Sequence, residues 1–242
     1  MKKILATLLL APALAWAEEG GPALDRAPVD LHDKASLQHG AQIFVNNCLN
    51  CHTASLMRYG RLADLGLTEQ QIKDNLLFGE KIGDPMAPPQ DPMISKAAFG
   101  VVPPDLSLIA RSRSPDWLYT YLRSFYRDDK SKTGWNNTVF PNVAMPNVLW
   151  RQQGEQSLEV KQRQNEFTGD VVLTHRLVLA QPGALSSVEY DRYVGDLVNY
   201  LTWMAEPAQG ARHMWGVLVL FFFTGFFVLT LLLKKEYWKD VH

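Results

Sequence analysis

Cysteine is almost missing from this chain. Among 242 residues there are two, Cys48 and Cys51, and both fall within the stretch "NNCLNCHTAS". A disulfide framework is excluded, and a bridge between these two would close so small a loop that it would stabilise little. A structural zinc site lacks the second Cys or His pair it would need at matching spacing. An excess of charge is also absent, since 24 Lys plus Arg face 25 Asp plus Glu. Nucleic acid as a partner would call for a basic surplus gathered on one face, and none is present. Long apolar runs are lacking from the body of the chain and concentrate at its two ends.

At the N-terminus, Met1-Lys2-Lys3 precedes "ILATLLLAPALA", and Ala15-Trp16-Ala17 precedes Glu18-Glu19. A basic start, a short apolar run and an A-x-A site make residues 1–17 a secretory signal peptide. The run is too short to cross about 30 Å of hydrocarbon, and Pro12 interrupts it. Near the C-terminus, "MWGVLVLFFFTGFFVLTLLL" (Met214–Leu233) holds twenty residues without a charge. As a helix it would span ~30 Å, enough for a bilayer. Trp215 stands near one end, and Tyr237 and Trp238 follow the other, where aromatic belts form. Lys234, Lys235 and Lys239 outweigh Arg212 on the opposite flank, so this end is expected in the cytoplasm. The domain reading is therefore a signal peptide at 1–17, an exported body at 18–210, a transmembrane anchor at 211–234 and a tail at 235–242. The body would lie on the periplasmic side of the cytoplasmic membrane, held by a single span.

The cysteine pair carries the chemistry. A thioredoxin-like C-x-x-C would follow a strand in a βαβ unit, and no such pattern surrounds it. With His52 directly after Cys51, the motif is C-x-x-C-H, the attachment site of a c-type haem. Cys48 and Cys51 are the expected thioether tethers and His52 the proximal iron ligand. Asp33 can cap a helix leading into the motif, with Leu37, Gly40, Ala41, Phe44 and Val45 on one face. Gly40 on that face would admit a close helix neighbour. A partner occurs late in the body: Ser186 and Glu189 form a capping box before Val194, Leu197, Val198, Leu201 and Met204. "LVNYL" (Leu197–Leu201) resembles the final helix of cytochromes c, and Glu206-Pro207 ends it.

The second axial position decides between electron transfer and ligand chemistry. A methionine thioether there raises the reduction potential and keeps small molecules off the iron. Candidates are Met57, Met86, Met93 and Met145, with His32, His39 and His175. Met57 follows His52 too closely to wrap around and reads as core. His175 lies in "VVLTHRLVL", an alternating stretch with the pattern of a strand. Met86 and Met145 both precede prolines that stiffen a loop, and the local residues leave these two open.

"VVPPDLSLIARSRS" (Val101–Ser114) resembles the P-P-D-L-S segment of the cytochrome c1 family, the haem subunits of cytochrome bc1 complexes. The order of features is similar along nearly the whole exported body: signal peptide, C-x-x-C-H, P-P-D-L-S, a later methionine, "MAEP" and one C-terminal anchor. The resemblance implies an all-α cytochrome c fold with long loop insertions plus one C-terminal transmembrane helix. It selects Met145 as the distal ligand, because the methionine follows P-P-D-L-S in that family. By position it implies that Pro103 and Pro104 line the haem edge. It also implies that Arg113, or less closely Arg111, pairs a propionate. Trp117 and Tyr121, on an aromatic-rich helix, would touch the porphyrin or pack in the core. The chain is shorter than mitochondrial relatives after Arg113 and has no second cysteine pair, so no disulfide tunes its potential. The polar run Arg151–Asp170 reads as an exposed loop.

The implied function is a one-electron relay, with no catalysis by the chain alone. Electrons would pass from a Rieske iron–sulfur protein to a soluble cytochrome c, with cytochrome b as the membrane partner. Alternatives are another membrane-anchored monohaem cytochrome, such as an oxidase subunit or free donor, and a haem enzyme or gas sensor with an open iron position.

Overall fold

The computed structural model describes residues 22–89, 91–164 and 171–240, so the signal-peptide assignment lies outside the described residues. In chain order, helix α1 (Lys34–Ile43) runs into a π turn (Phe44–Cys48), strand β1 (Ala54–Arg58) and a 3-10 turn (Tyr59–Leu65). There follow α2 (Glu69–Leu76), β2 (Pro85–Met86), α3 (Pro92–Phe99), α4 (Ile109–Arg113) and α5 (Pro115–Arg123). The body closes with β3 (Phe125–Arg127), β4 (Trp135–Asn137), α6 (Trp150–Gln153), the strands β5 (Gly154–Gln164) and β6 (Val171–Pro182), and α7 (Ser187–Ala205). The last element is α8 (Gln209–Tyr237).

The first and last helices of the body build the core. Asp33 caps α1 by accepting from the Ser36 amide. Ser186 and Glu189 form the capping box of α7, and Glu206 follows its last residue, Ala205. The buried stripe of α1 (Leu37, Gly40, Ala41, Ile43) meets Val194, Leu197, Val198 and Leu201 of α7. Contact is closest at Gly40, where a Cβ would overlap the carbonyl of Asp196 and lie 2.7 Å from Tyr200 Cβ. Around that crossing, Ser36 Oγ donates to Asp196 at 2.6 Å and Asn199 Nδ2 donates to Ser36 Oγ at 3.0 Å. The N-terminal segment is strapped on top, with the Ala27 amide donating to Asp116 and the Asp30 amide to Asn199.

The all-α expectation is corrected by three two-stranded antiparallel sheets: β1 with β2, β3 with β4, and β5 with β6. The first two pairs are too short for an alternating pattern to register in a sequence. The third pair joins strands of 11 and 12 residues. Its first strand overturns the loop expected over 151–170, at least through Gln164, whereas the strand pattern around His175 corresponds to β6. Much of β5 is polar because both faces of the hairpin meet solvent away from its base. Among the described residues its ties to the body lie at the base, where Arg127 pairs with Glu155 at 2.8 Å and Gln156 Nε2 donates to the carbonyls of Arg123 and Phe125.

Helix α8 stands apart. From Arg212 to Tyr237 every described side chain is exposed, Leu220, Phe221 and Phe222 among them. Such a surface, apolar all round and not covered by any of the described residues, is suited to lipid.

Candidate cofactor-binding site

Helix α1 widens into its π turn just before the first cysteine, and the Leu49 amide donates to the Phe44 carbonyl at 3.1 Å. The next turn closes on Cys48, whose carbonyl accepts from Cys51 N at 3.1 Å and His52 N at 2.9 Å. Two thiols and an imidazole thus share one helical turn. Burial, with the neighbouring Cys51, pushes the Cys48 thiol up to about 12. It is a protonated thiol at neutral pH, unlike the low-pKa thiolate of a disulfide-exchange pair.

His52 Nδ1 lies 2.8 Å from the carbonyl oxygen of Pro104. A carbonyl only accepts, so Nδ1 carries the proton and Nε2 keeps its lone pair for a metal. Burial lowers the pKa of the ring, opposed by the Pro104 carbonyl and the Asp105 charge, and so favours the neutral form that ligates iron.

The segment that supplies this carbonyl is latched in place. Asp105 accepts from Ser55 N and Ser107 N at 2.8 Å each, and Ser107 Oγ accepts from Leu56 N at 3.0 Å. The Leu106 amide donates to the Thr53 carbonyl at 2.7 Å. Three of these hydrogen bonds zip residues 105–107 to residues 53–56, directly behind His52, and the fourth, Ser107 N to Asp105, braces the segment internally. Partial burial raises the Asp105 pKa, but hydrogen bonds from Ser107 and Ser55 outweigh it and hold the carboxyl well below the usual range. Sequence reasoning stopped at the two prolines and missed Asp105 and Ser107, although both stand in the same motif.

Met145 sits on an irregular loop, and three buried asparagines fix that loop. Asn136 Oδ1 accepts from Asn142 N at 2.8 Å, and Asn137 Oδ1 accepts from Val139 N at 2.9 Å and Phe140 N at 3.1 Å. Asn137 Nδ2 in turn donates to the Tyr121 carbonyl at 2.8 Å. On the far side, Asn147 bonds Leu149 N and Gln153. Asn142 has φ of 62°, a left-handed conformation that asparagine tolerates better than most residues. The Met145 side chain is half-buried against the core, and its sulfur accepts from the Tyr121 hydroxyl at 3.4 Å. These asparagines were also missed; the runs "WNN" and "MPN" were the available signal.

The remaining methionines differ in their surroundings. Met86 is fully buried on β2, its Cα paired with that of Ala54 and its sulfur 3.7 Å from the Tyr200 hydroxyl. Met57 is buried as well, in keeping with its assignment to the core, and Met93 is exposed. His175 is exposed on β6.

Arg113 and Arg111 are both exposed on α4, and among the described residues neither pairs with a carboxylate. The guanidinium of Arg113 lies 5.1 Å from the Trp117 ring centre and 5.9 Å from that of Phe140. Ser114, at φ 78°, makes the sharp bend between Arg113 and α5 that permits this fold-back. Trp117 stacks on Tyr121 at 4.7 Å, so Arg113, Trp117, Tyr121 and Met145 form one line of contacts. Pro103 is half-buried and Pro104 exposed.

Two thiols on one turn, a neutral imidazole with Nε2 available and a half-buried thioether form a donor set that fits a haem c. Residues 25–241 match the model of the Cytochrome C1 family. The chain is 49% identical over 244 residues to a protein named cytochrome c1 from Allochromatium vinosum, covering all of this chain and 99% of that one. It is 47% identical over 243 residues to a protein named ammonia monooxygenase gamma subunit from Nitrosomonas europaea, again covering 100% of this chain and 99% of that one. A cytochrome c1 from Rhodospirillum rubrum is 29% identical over 264 residues, covering 94% of this chain and 92% of its own length.

Proposed function

This chain belongs to the cytochrome c1 family, and from that premise we propose the roles of its residues and the partners it serves. It is an electron-carrying subunit of a quinol:cytochrome c oxidoreductase, with one covalently bound haem c, cytochrome b as its partner in the complex and α8 as its membrane anchor.

Cys48 and Cys51 hold the haem by thioethers, and His52 binds iron through Nε2 while Pro104 fixes the ring. Met145 supplies the distal thioether. When bound, the group supplies a one-electron couple at iron, and the methionine keeps that couple at high potential and small ligands away. Pro103 and Pro104 line the porphyrin edge. Arg113, steadied over Trp117, meets a propionate, with Arg111 as the lesser candidate. The chain moves no proton in this process; its task is to orient ligands and exclude water. The observation that carries this reading is the turn Cys48–His52 with Nδ1 held by the Pro104 carbonyl.

A Rieske iron–sulfur protein delivers the electron and a soluble cytochrome c removes it. The body, 18–210, lies on the periplasmic side and the tail, 235–242, in the cytoplasm, in keeping with the lysines after the span. A second reading is a membrane-anchored monohaem cytochrome serving a different assembly. It is favoured by the Nitrosomonas europaea relative, whose name points to another complex at almost the same identity. Affinity purification of the tagged full chain from native membranes in mild detergent separates the two. A b-type cytochrome and an iron–sulfur protein should accompany it in fixed ratio. Purification with an unrelated oxidase and no b-type cytochrome would favour the second reading.

A further inference from the structure

The hydroxyl of Tyr121 is buried where the aromatic line reaches the Met145 side chain. The residue is 9% exposed, stacks on Trp117 at 4.7 Å and meets Phe125 edge-on at 5.0 Å. Ring packing accounts for the aromatic body but not for the hydroxyl, since a phenylalanine would fill the same space. A buried hydroxyl without a partner loses about 1–3 kcal/mol, so its partner defines its role. That partner is the Met145 sulfur, 3.4 Å away.

We infer that Tyr121 is a positioning residue for the Met145 thioether: its hydroxyl orients one sulfur lone pair and draws electron density from the other. This rests on the reading of Met145 as the distal ligand. A sulfur that accepts a hydrogen bond on one side gives less density to a ferric iron on the other. The ferric state needs that density more than the ferrous state, so the hydrogen bond raises the reduction potential and loosens sulfur in the oxidised protein. The backbone supports the same pairing, because Asn137 Nδ2 holds the Tyr121 carbonyl while Asn137 Oδ1 holds the loop that leads to Met145. Tyrosine and methionine are thus tethered twice, once through asparagine and once through the hydroxyl.

The test uses the full chain, haem-loaded, in mild detergent. Tyr121→Phe removes one oxygen and keeps the ring stack. A neutral hydrogen bond contributes about 0.5–1.5 kcal/mol, which is roughly a two- to tenfold change in the ferric/ferrous ratio, or ~20–60 mV at 59 mV per decade. The midpoint potential should fall by that amount, and cyanide should displace the sulfur from the ferric protein several-fold less readily. Placing 3-fluorotyrosine at position 121, a more acidic phenol of nearly the same size, should move both quantities the other way. This arm keeps the test decisive if Tyr121→Phe loses its haem. Met145→Leu is measured alongside. If it retains the far-red band of sulfur bound to ferric haem, the ligand reading itself fails. If it loses that band while both Tyr121 variants leave the potential and cyanide affinity unchanged, the ligand reading stands and the role of Tyr121 is refuted.

Discussion

Gly40→Ala adds one methyl group where α1 crosses α7, and the geometry sets its effect. The new Cβ would overlap the Asp196 carbonyl and lie 2.7 Å from both the Asp196 carbonyl carbon and Tyr200 Cβ. Carbon atoms in contact sit ~3.5–4.0 Å apart, so the helices must separate by about 1 Å. Overpacking of this kind costs about 1–3 kcal/mol. Separation also stretches the bonds flanking the crossing: Ser36 to Asp196 at 2.6 Å, His39 to Asp196 at 2.7 Å and Asn199 to Ser36 at 3.0 Å. Half-exposed bonds contribute about 0.5–1 kcal/mol each. Alanine returns about 1 kcal/mol of helix propensity. The net expectation is a loss of ~2–4 kcal/mol, a large part of the 5–15 kcal/mol typical of a domain. Reversible guanidinium unfolding of the detergent-solubilised full chain, followed by haem absorbance and by helical ellipticity, measures it. A Gly40→Ala protein as stable as the wild type, or more stable by the propensity gain alone, would refute the close crossing.

Three further outcomes are expected. Cys48→Ala or Cys51→Ala should each lose most covalently held haem, read as pigment released by acid–acetone, whereas the wild type should release none. Asp105→Asn should destabilise the latch behind His52 by ~1–2 kcal/mol, at the low end for charged hydrogen bonds because the carboxylate is exposed. Its folded pKa is depressed, so that contribution is full above its unfolded value of about 3.9 and fades as pH falls below it; wild-type and variant stabilities should converge in acid and differ constantly above pH ~5. A stop codon after Gly210, with the signal peptide kept, should yield a soluble red protein that retains the far-red band but no longer supports quinol oxidation in membranes. Loss of haem in that truncated chain would assign α8 to the core.

What the sequence disclosed was whatever is local. Cys48, Cys51 and His52 declare themselves within five positions, and so do the Asp33 cap and the Ser186–Glu189 capping box. Gly40 was legible because a glycine on an otherwise apolar helical face has few other uses. Apart from β6, whose alternation was visible, the strands were not, since β2 has two residues and β3 three, and β5 exposes polar side chains on both faces around Glu159–Gln162. Hence the all-α expectation failed although both core helices were placed correctly. The contacts that orient the site were hidden for a different reason. Tyr121 and Met145 are 24 residues apart, and Asp105 reaches Ser55 across 50. No period or spacing reports such pairs; only folding brings them together. Arg113 illustrates the limit, because its position matched a motif while its contact with Trp117 depends on the bend at Ser114.

The central claim is that this chain relays electrons between quinol oxidation and a soluble acceptor. Its most direct test is a stopped-flow record of the haem c absorbance in membranes carrying the full-length chain. After a pulse of quinol, the signal should rise to the reduced form within one turnover, and addition of oxidised soluble cytochrome c should return it to the oxidised form at the rate of overall turnover. Quinol-dependent reduction of soluble cytochrome c that proceeds while this haem stays oxidised would contradict the account.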